Sequence, residues 1–328
     1  GRIAVWHIFA LSVAQGLIDG FDIPTRQAFV LEIVERKESL ANAIALNSFV
    51  FNAARLLGPC IAGVLIATVG EGLCFLFDGI SYLAAIGSLA AMRIPWPARA
   101  IARPSWLVEL QAGLRYAWSC SPIAALLSLV AWMSLTGMSY AVLMPVFAKD
   151  VFHGDPQTYG FLMAASGLGA LGGAGYLAVR RSILGLDRLI AASAGLAGIS
   201  LIVFAGSRTL WWSGALLASA GFWFMVHAAA TNTVLQTIVD DDKRGRVMSL
   251  FVMAFMGTMP LGSLLAGHMA EVMGAPRTVF LVGILCLVGA SLFARALPAL
   301  RETARPIYEK LEQAQAVRCP QTPCRLSG

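Results

Sequence analysis

Charge is scarce in this chain. Asp, Glu, Lys and Arg make up 13% of its 328 residues, against 58% hydrophobic ones, and the mean hydropathy is +0.74. A water-soluble globule could not hide that much apolar surface, and a disordered chain needs the opposite composition. The motifs of catalysis are lacking too. No glycine-rich loop closes on Lys-Ser or Lys-Thr, so a Walker-type phosphate cradle is excluded, and there is no nucleophile elbow, zinc-protease signature or pair of catalytic carboxylates. Nothing calls for a cofactor or a metal, and no catalytic residue is assigned; the chain reads as a non-enzyme. The six cysteines form no secreted disulfide framework. Cys60, Cys74 and Cys286 sit in apolar runs, Cys120 at a boundary, and Cys319 and Cys324 are too far apart for a common zinc spacing. Gly1-Arg2-Ile3 offers neither an initiator Met nor the head of a signal peptide, which reads as a truncated start.

What is present is a series of uninterrupted apolar stretches. A helix needs roughly 20 apolar residues to cross a hydrocarbon core. Nine segments qualify, near 4–25, 42–68, 72–92, 123–148, 157–179, 187–206, 210–238, 246–273 and 276–297. In lipid every backbone polar group must be satisfied within its segment, so these are helices. The net charge of +6 follows the same topology. Segments 26–40, 93–121, 180–188, 240–246 and the tail from Arg295 hold 19 of the 24 Lys and Arg residues. The opposite side has only Arg2, Lys149, Arg208 and Arg277, and Arg55 lies inside a span. Positive loops stay in the cytoplasm, which predicts a cytoplasmic C-terminus and makes nucleic-acid binding the weaker reading of the charge.

An internal repeat predicts the architecture. Gly58, Gly63 and Gly70 recur as Gly262, Gly267 and Gly274, an offset of 204 with both spacings kept, and Leu31-Glu32-Ile33-Val34 meets Leu235-Gln236-Thr237-Ile238 at the same offset. The first three spans then overlay the last three, and the partners of spans four to six would lie upstream of residue 1. The expected fold is an all-α membrane bundle with nine of twelve transmembrane helices. Residues 1–92 form the remainder of an N-terminal half, 93–121 a cytoplasmic linker, 122–298 a six-helix C-terminal half and 299–328 a cytoplasmic tail. Within the linker, Trp106, Leu107, Leu110, Leu114 and Ala117 make an apolar stripe with Glu109 and Arg115 off it, predicting an interfacial amphipathic helix or else a solvated linker helix.

Several local patterns carry a resemblance. Asp22-Ile23-Pro24-Thr25-Arg26-Gln27-Ala28-Phe29 is followed by Leu40-Ala41-Asn42-Ala43-Ile44-Ala45-Leu46-Asn47-Ser48, then Asn52, Ala54-Arg55-Leu56-Leu57-Gly58-Pro59 and Ser81-Tyr82. The second half offers Arg244-Gly245-Arg246-Val247-Met248-Ser249 leading into Pro260-Leu261-Gly262. Across residues 4–297 this resembles the major facilitator superfamily, in the branch similar to the enterobactin exporter. The resemblance implies twelve helices, a central cavity, alternating access, proton-driven efflux of a small molecule, and a bacterial inner-membrane location, with the full-length protein monomeric. The superfamily's charged loop motif has only a degenerate second-half counterpart here, near Gly175-Tyr176 and Arg180-Arg181.

Ionisable groups within spans are costly and by default functional. Gln15, Asp19, Asp22 and Arg26 fall on one face of the first span, Ser48, Asn52 and Arg55 on one face of the second, and Asp78 stands alone in the third. They are candidates for a coupling network in which a proton switches an acid–base pair, or for a static intracellular gate; Asp78 also reads as a polar group near an external end. In the seventh span Trp223, His227 and Thr231 are spaced by four on one mixed face, with Asn232 and Gln236 nearby, which marks either a cavity wall or a hydrogen-bonded packing histidine. Asp242, Arg244, Gly245 and Arg246 form the cytoplasmic loop motif, and His268 with Glu271 reads as an exposed pair. Gly167, Gly169, Gly172, Gly173 and Gly175 crowd the fifth span as a close-packing surface, while Pro24, Pro59, Pro145 and Pro260 permit kinks. The expected partners are a small-molecule substrate, protons and the lipid bilayer. The alternative function is a non-transporting or partner-binding membrane fragment.

Overall fold

The computed structural model describes residues 71–91, 106–180, 185–239 and 241–318, together with Trp6, His7, Ala10, Leu11, Ala14, Gln15 and Ile18. Contacts divide the chain into Gly1–Arg55 and Leu56–Gly328. In the first unit the described positions are helical, and the rings of Trp6 and His7 stack 3.8 Å apart. Asp19, Asp22, Arg26, Ser48, Asn52 and Arg55 lie outside the described residues, as do the expected span over 42–68 and the glycines Gly58, Gly63 and Gly70.

Among the described residues of the second unit every regular element is a helix. Seven helical stretches are long and apolar enough to cross a membrane: Gly72–Ala91, Ser121–Val151, Pro156–Val179, Leu186–Gly206, Leu210–Ile238, Gly245–Met273 and Ala275–Pro298. Each falls on one of the last seven apolar runs of the sequence. The helices are α1 (Glu71–Ala91), α2 (Trp106–Ser119), α3 (Ser121–Thr136), α4 (Tyr140–Val146), α5 (Pro156–Val179), α6 (Leu186–Gly206), α7 (Leu210–Ile238), α8 (Asp241–Val252), α9 (Met259–Met273) and α10 (Ala275–Arg318). Their boundaries follow local chemistry. The Asp155 side chain caps α5 by accepting from the Thr158 backbone N–H at 3.0 Å, with Pro156 pre-set at the first turn. Gly274, at φ +85°, turns the chain between α9 and α10 in a conformation that side chains disfavour.

Packing runs in the order α5, α7, α6, α10, α3, α9, and α9 also touches α4. Lipid supplies no hydrophobic force between helices, so close backbone contact and interhelical hydrogen bonds must hold them together. Both are present. A Cβ on Gly169 of α5 would lie 1.8 Å from the Ala218 carbonyl oxygen of α7, and one on Gly221 of α7 would lie 2.1 Å from the Ser166 carbonyl oxygen of α5. Only glycine allows that crossing. The crowd of glycines in α5 is not uniform, however: nothing lies within 4 Å of a Cβ built on Gly175. Across other seams the Trp132 indole N–H donates to the Leu285 carbonyl at 2.8 Å, and the Ser200 and Ser219 hydroxyls pair at 2.9 Å. In a buried contact the Tyr140 hydroxyl meets that of Ser166 at 2.7 Å.

Candidate functional site

Two of the spans are not continuous helices, and their breaks lie side by side. In the first, α3 ends at Thr136, a 3-10 turn covers Gly137–Ser139, α4 carries Pro145 inside it, and a π turn follows over Phe147–Val151. In the second, α8 ends at Val252, a π turn occupies Met253–Gly257, and α9 resumes with Pro260 in its first turn. A π turn widens the ladder and frees carbonyls that lipid cannot satisfy. Side chains take them up: the buried Ser134 hydroxyl donates to the Phe255 carbonyl inside the second π turn, and Thr258 donates to Ala254 at 2.8 Å and reaches Ala131 at 3.2 Å. One turn further along, a Cβ on Gly262 would lie 1.9 Å from the Leu135 carbonyl oxygen, so the two broken spans touch backbone to backbone.

Beside this seam, α7 has two polar faces with different surroundings. Trp223, His227 and Thr231 do share one side. Thr231 is fully buried and its hydroxyl donates back to the His227 carbonyl at 2.8 Å. His227 is 3% exposed; its Nδ1 lies 3.4 Å from the Ile190 carbonyl of α6, while its Nε2 has no hydrogen-bond partner. The same carbonyl accepts the Ser193 hydroxyl at 3.0 Å. Trp223 is half-buried, its indole edge-on to Phe222 at 4.8 Å. This side of α7 is thus knitted to α6.

On the opposite side, in the last two turns of α7, Asn232, Thr233, Gln236 and Thr237 form a second polar stripe. Thr233 and Gln236 are exposed, and Asn232 and Thr237 are half-exposed. The two threonines satisfy themselves on carbonyls one turn back at 2.9 and 2.8 Å, and the Gln236 amide donates to Asn232. The paired amides keep further donors and acceptors, which a purely lipid-facing surface would leave unsatisfied. Sequence reading reached Asn232 and Gln236 only as neighbours of the histidine face; Thr233 and Thr237, one helical turn from each other, were the missed signal.

The loop motif begins α8 and packs on α2. Lys243 Nζ sits 4.6 Å over the Tyr116 ring, Arg246 is exposed beyond its Cβ, and Gly245 has open space around it. Asp242 and Arg244 lie in the same first turn. Asp78 is exposed on α1, where its backbone carbonyl accepts the Ser81 hydroxyl at 2.7 Å. Gln15 is helical and exposed. His268 and Glu271 are an exposed pair 3.9 Å apart. Among the described residues no group of three His, Cys, Asp or Glu side chains converges as a metal site.

Comparison with known proteins bears on what this bundle is. The family model for transmembrane secretion effectors matches residues 1–318. The staphyloferrin A transporter of Staphylococcus aureus is 28% identical over 286 residues, spanning 86% of this chain and 70% of that protein. The multidrug efflux pump Tap of Mycolicibacterium fortuitum is 28% identical over 90% of this chain and 74% of its own length. Macrolide efflux protein A of Streptococcus pyogenes is 22% identical over 87% of this chain and 71% of its own. The chain belongs to the transmembrane secretion effector family of the major facilitator superfamily, whose members are multi-pass membrane transporters and not enzymes.

Proposed function

We propose that the protein exports a small amphipathic organic molecule across the bacterial inner membrane by alternating access, driven by protons. The observation that carries this reading is the polar stripe Asn232, Thr233, Gln236 and Thr237, which stands uncovered on α7 although that helix is long and apolar enough to cross the bilayer. Unspent amide groups at that position call for water or solute rather than lipid. Behind the stripe, Trp223, His227 and Thr231 share the opposite side of α7, where the His227 ring meets the Ile190 carbonyl of α6 and Thr231 bonds back within α7. The two interrupted spans supply the deformable part, since a broken ladder held by side-chain hydroxyls can rearrange without a whole helix unfolding.

The substrate class follows from chemistry and from relatives named for staphyloferrin A, for multiple drugs and for macrolides. An apolar wall with a few amide and hydroxyl groups suits molecules of mixed polarity. From their spacing in the sequence, Asp19, Asp22, Arg26, Asn52, Arg55 and Asp78 are our candidates for coupling, and Gln15 and Ser48 our candidates for lining the cavity; an aspartate that gains and loses an arginine partner can carry a proton between states. The basic loops and the C-terminus face the cytoplasm, and no nucleic acid or cofactor takes part. The test is accumulation of a macrolide and of a cationic dye in everted vesicles under an imposed pH gradient. Uptake that collapses on dissipating the gradient, and that is lost in Asp22→Asn and Arg55→Ala, is expected. Uptake indifferent to the gradient and to both substitutions would overturn the coupling assignment, and no uptake of either compound would overturn the substrate class.

A further inference from the structure

The linker helix α2 has two faces with different demands. One is satisfied inside the protein. Ala117 is fully buried, Gly113 is buried with the Arg246 Cβ and a Leu250 methyl within 3.6 Å of where its own Cβ would be, and Tyr116 carries Lys243 over its ring. This face therefore grips the first turns of α8 and the loop motif. The other face is left open. Trp118 is 66% exposed and Leu114 42%, one helical turn apart. Arg115 is exposed next to them and has no acidic partner among the described residues.

The place of this stripe says what covers it. Trp118 is three residues from Ser121, where a membrane-crossing stretch begins. Between them Cys120 is extended, at φ −111° and ψ 99°, and Pro122 opens the next helix, so α2 breaks away from the axis of the span at its mouth. Tryptophan with leucine and an unpaired arginine, held at that depth, matches the boundary between acyl chains and headgroups: the ring and leucine enter the apolar side, and the guanidinium meets lipid phosphate. The opposite face is occupied by α8, so α2 cannot roll to hide the stripe against the protein without giving up that contact.

We infer that α2 is a bracket between the lipid surface and the α7–α8 loop: its Leu114–Trp118 edge seats in the headgroup boundary of an anionic leaflet with Arg115 on phosphate, while Gly113, Tyr116 and Ala117 hold the loop motif. The inference does not depend on what is transported. A second consequence is that the bracket links leaflet composition to the position of Lys243 and Arg246.

The test places single spin labels at residues 114, 118 and 119 of the protein, in a background without other cysteines, in phosphatidylglycerol–phosphatidylethanolamine vesicles. Accessibility to oxygen, which partitions into lipid, is compared with accessibility to a water-soluble nickel complex. Positions 114 and 118 should show an oxygen-to-nickel ratio several-fold above that of position 119, and Arg115→Glu should lower it. Labels at 114 and 118 as open to nickel as that at 119 would mean a solvated helix and overturn the inference. Labels shielded from both reagents would mean that protein covers the stripe, which also overturns it. An unchanged ratio in Arg115→Glu would refute the phosphate contact, and an unchanged ratio in phosphatidylcholine vesicles, which keep the phosphate but carry no net charge, would refute the preference for an anionic leaflet.

Discussion

Substituting Gly169 by alanine tests how the α5–α7 pair is held. The added Cβ would stand 1.8 Å from the Ala218 carbonyl oxygen and 2.6 Å from its carbonyl carbon, where ordinary contact begins at 3.4 Å. Both atoms belong to the α7 backbone and cannot swing aside as a side chain would. The helices must therefore part by about 1.6 Å at this crossing, opening the contacts on either side. Overpacking of a close-packed interior costs roughly 1–3 kcal/mol, and a rigid obstacle puts this case near the top, about 3 kcal/mol. For a unit of this size that lowers the unfolding midpoint by on the order of 10 °C. The assay is thermal unfolding of detergent-solubilised protein followed by loss of the monodisperse peak. Gly175→Ala is the control: it is in the same helix with nothing within 4 Å, and should stabilise by up to about 1 kcal/mol, the helix-propensity difference. Because one separation relieves both clashes, Gly169→Ala with Gly221→Ala should cost less than the sum of the two. Equal midpoints for Gly169→Ala and Gly175→Ala would refute the reasoning.

Other outcomes follow from single contacts. Ser134→Ala removes the donor to the Phe255 carbonyl in the π turn and should cost about 1 kcal/mol in thermal unfolding, whereas exposed Ser128→Ala should cost nothing measurable. His227→Leu keeps the volume, removes a nitrogen without a partner and leaves the Ile190 carbonyl its Ser193 donor, so the midpoint should move by less than about 1 kcal/mol equivalent; a collapse in folded yield would contradict this. Tyr116→Ala deletes the ring under Lys243, worth about 1 kcal/mol, and should raise hydrogen exchange across α2 while leaving that of α6 unchanged.

The spans were legible because length and apolarity are one-dimensional properties: all seven membrane-length helices fall on apolar runs visible in the sequence. Pro145 and Pro260 also announced weak points in two of them. The π turn at Met253–Gly257 did not announce itself, since it contains no proline and its freed carbonyl is answered by Ser134, more than a hundred residues earlier. The surroundings of His227 were hidden for the same reason. Its spacing with Trp223 and Thr231 shows a shared face, but only packing decides that this face meets Ile190 of α6 while the uncovered one carries Thr233 and Gln236. The linker helix divided similarly: its apolar stripe was readable, yet Ala117 is buried while Leu114 stays exposed.

The central claim is that the Asn232–Thr237 stripe borders a water-filled passage, and cysteine accessibility tests it most directly. Thr233→Cys and Gln236→Cys, in membranes, should react with a membrane-impermeant maleimide, and bound transport substrate should slow that reaction, while Thr231→Cys, at a fully buried position, should stay unlabelled. Failure of both stripe cysteines to react, with the protein folded, would mean that lipid or protein covers this side of α7, and the passage would have to lie elsewhere.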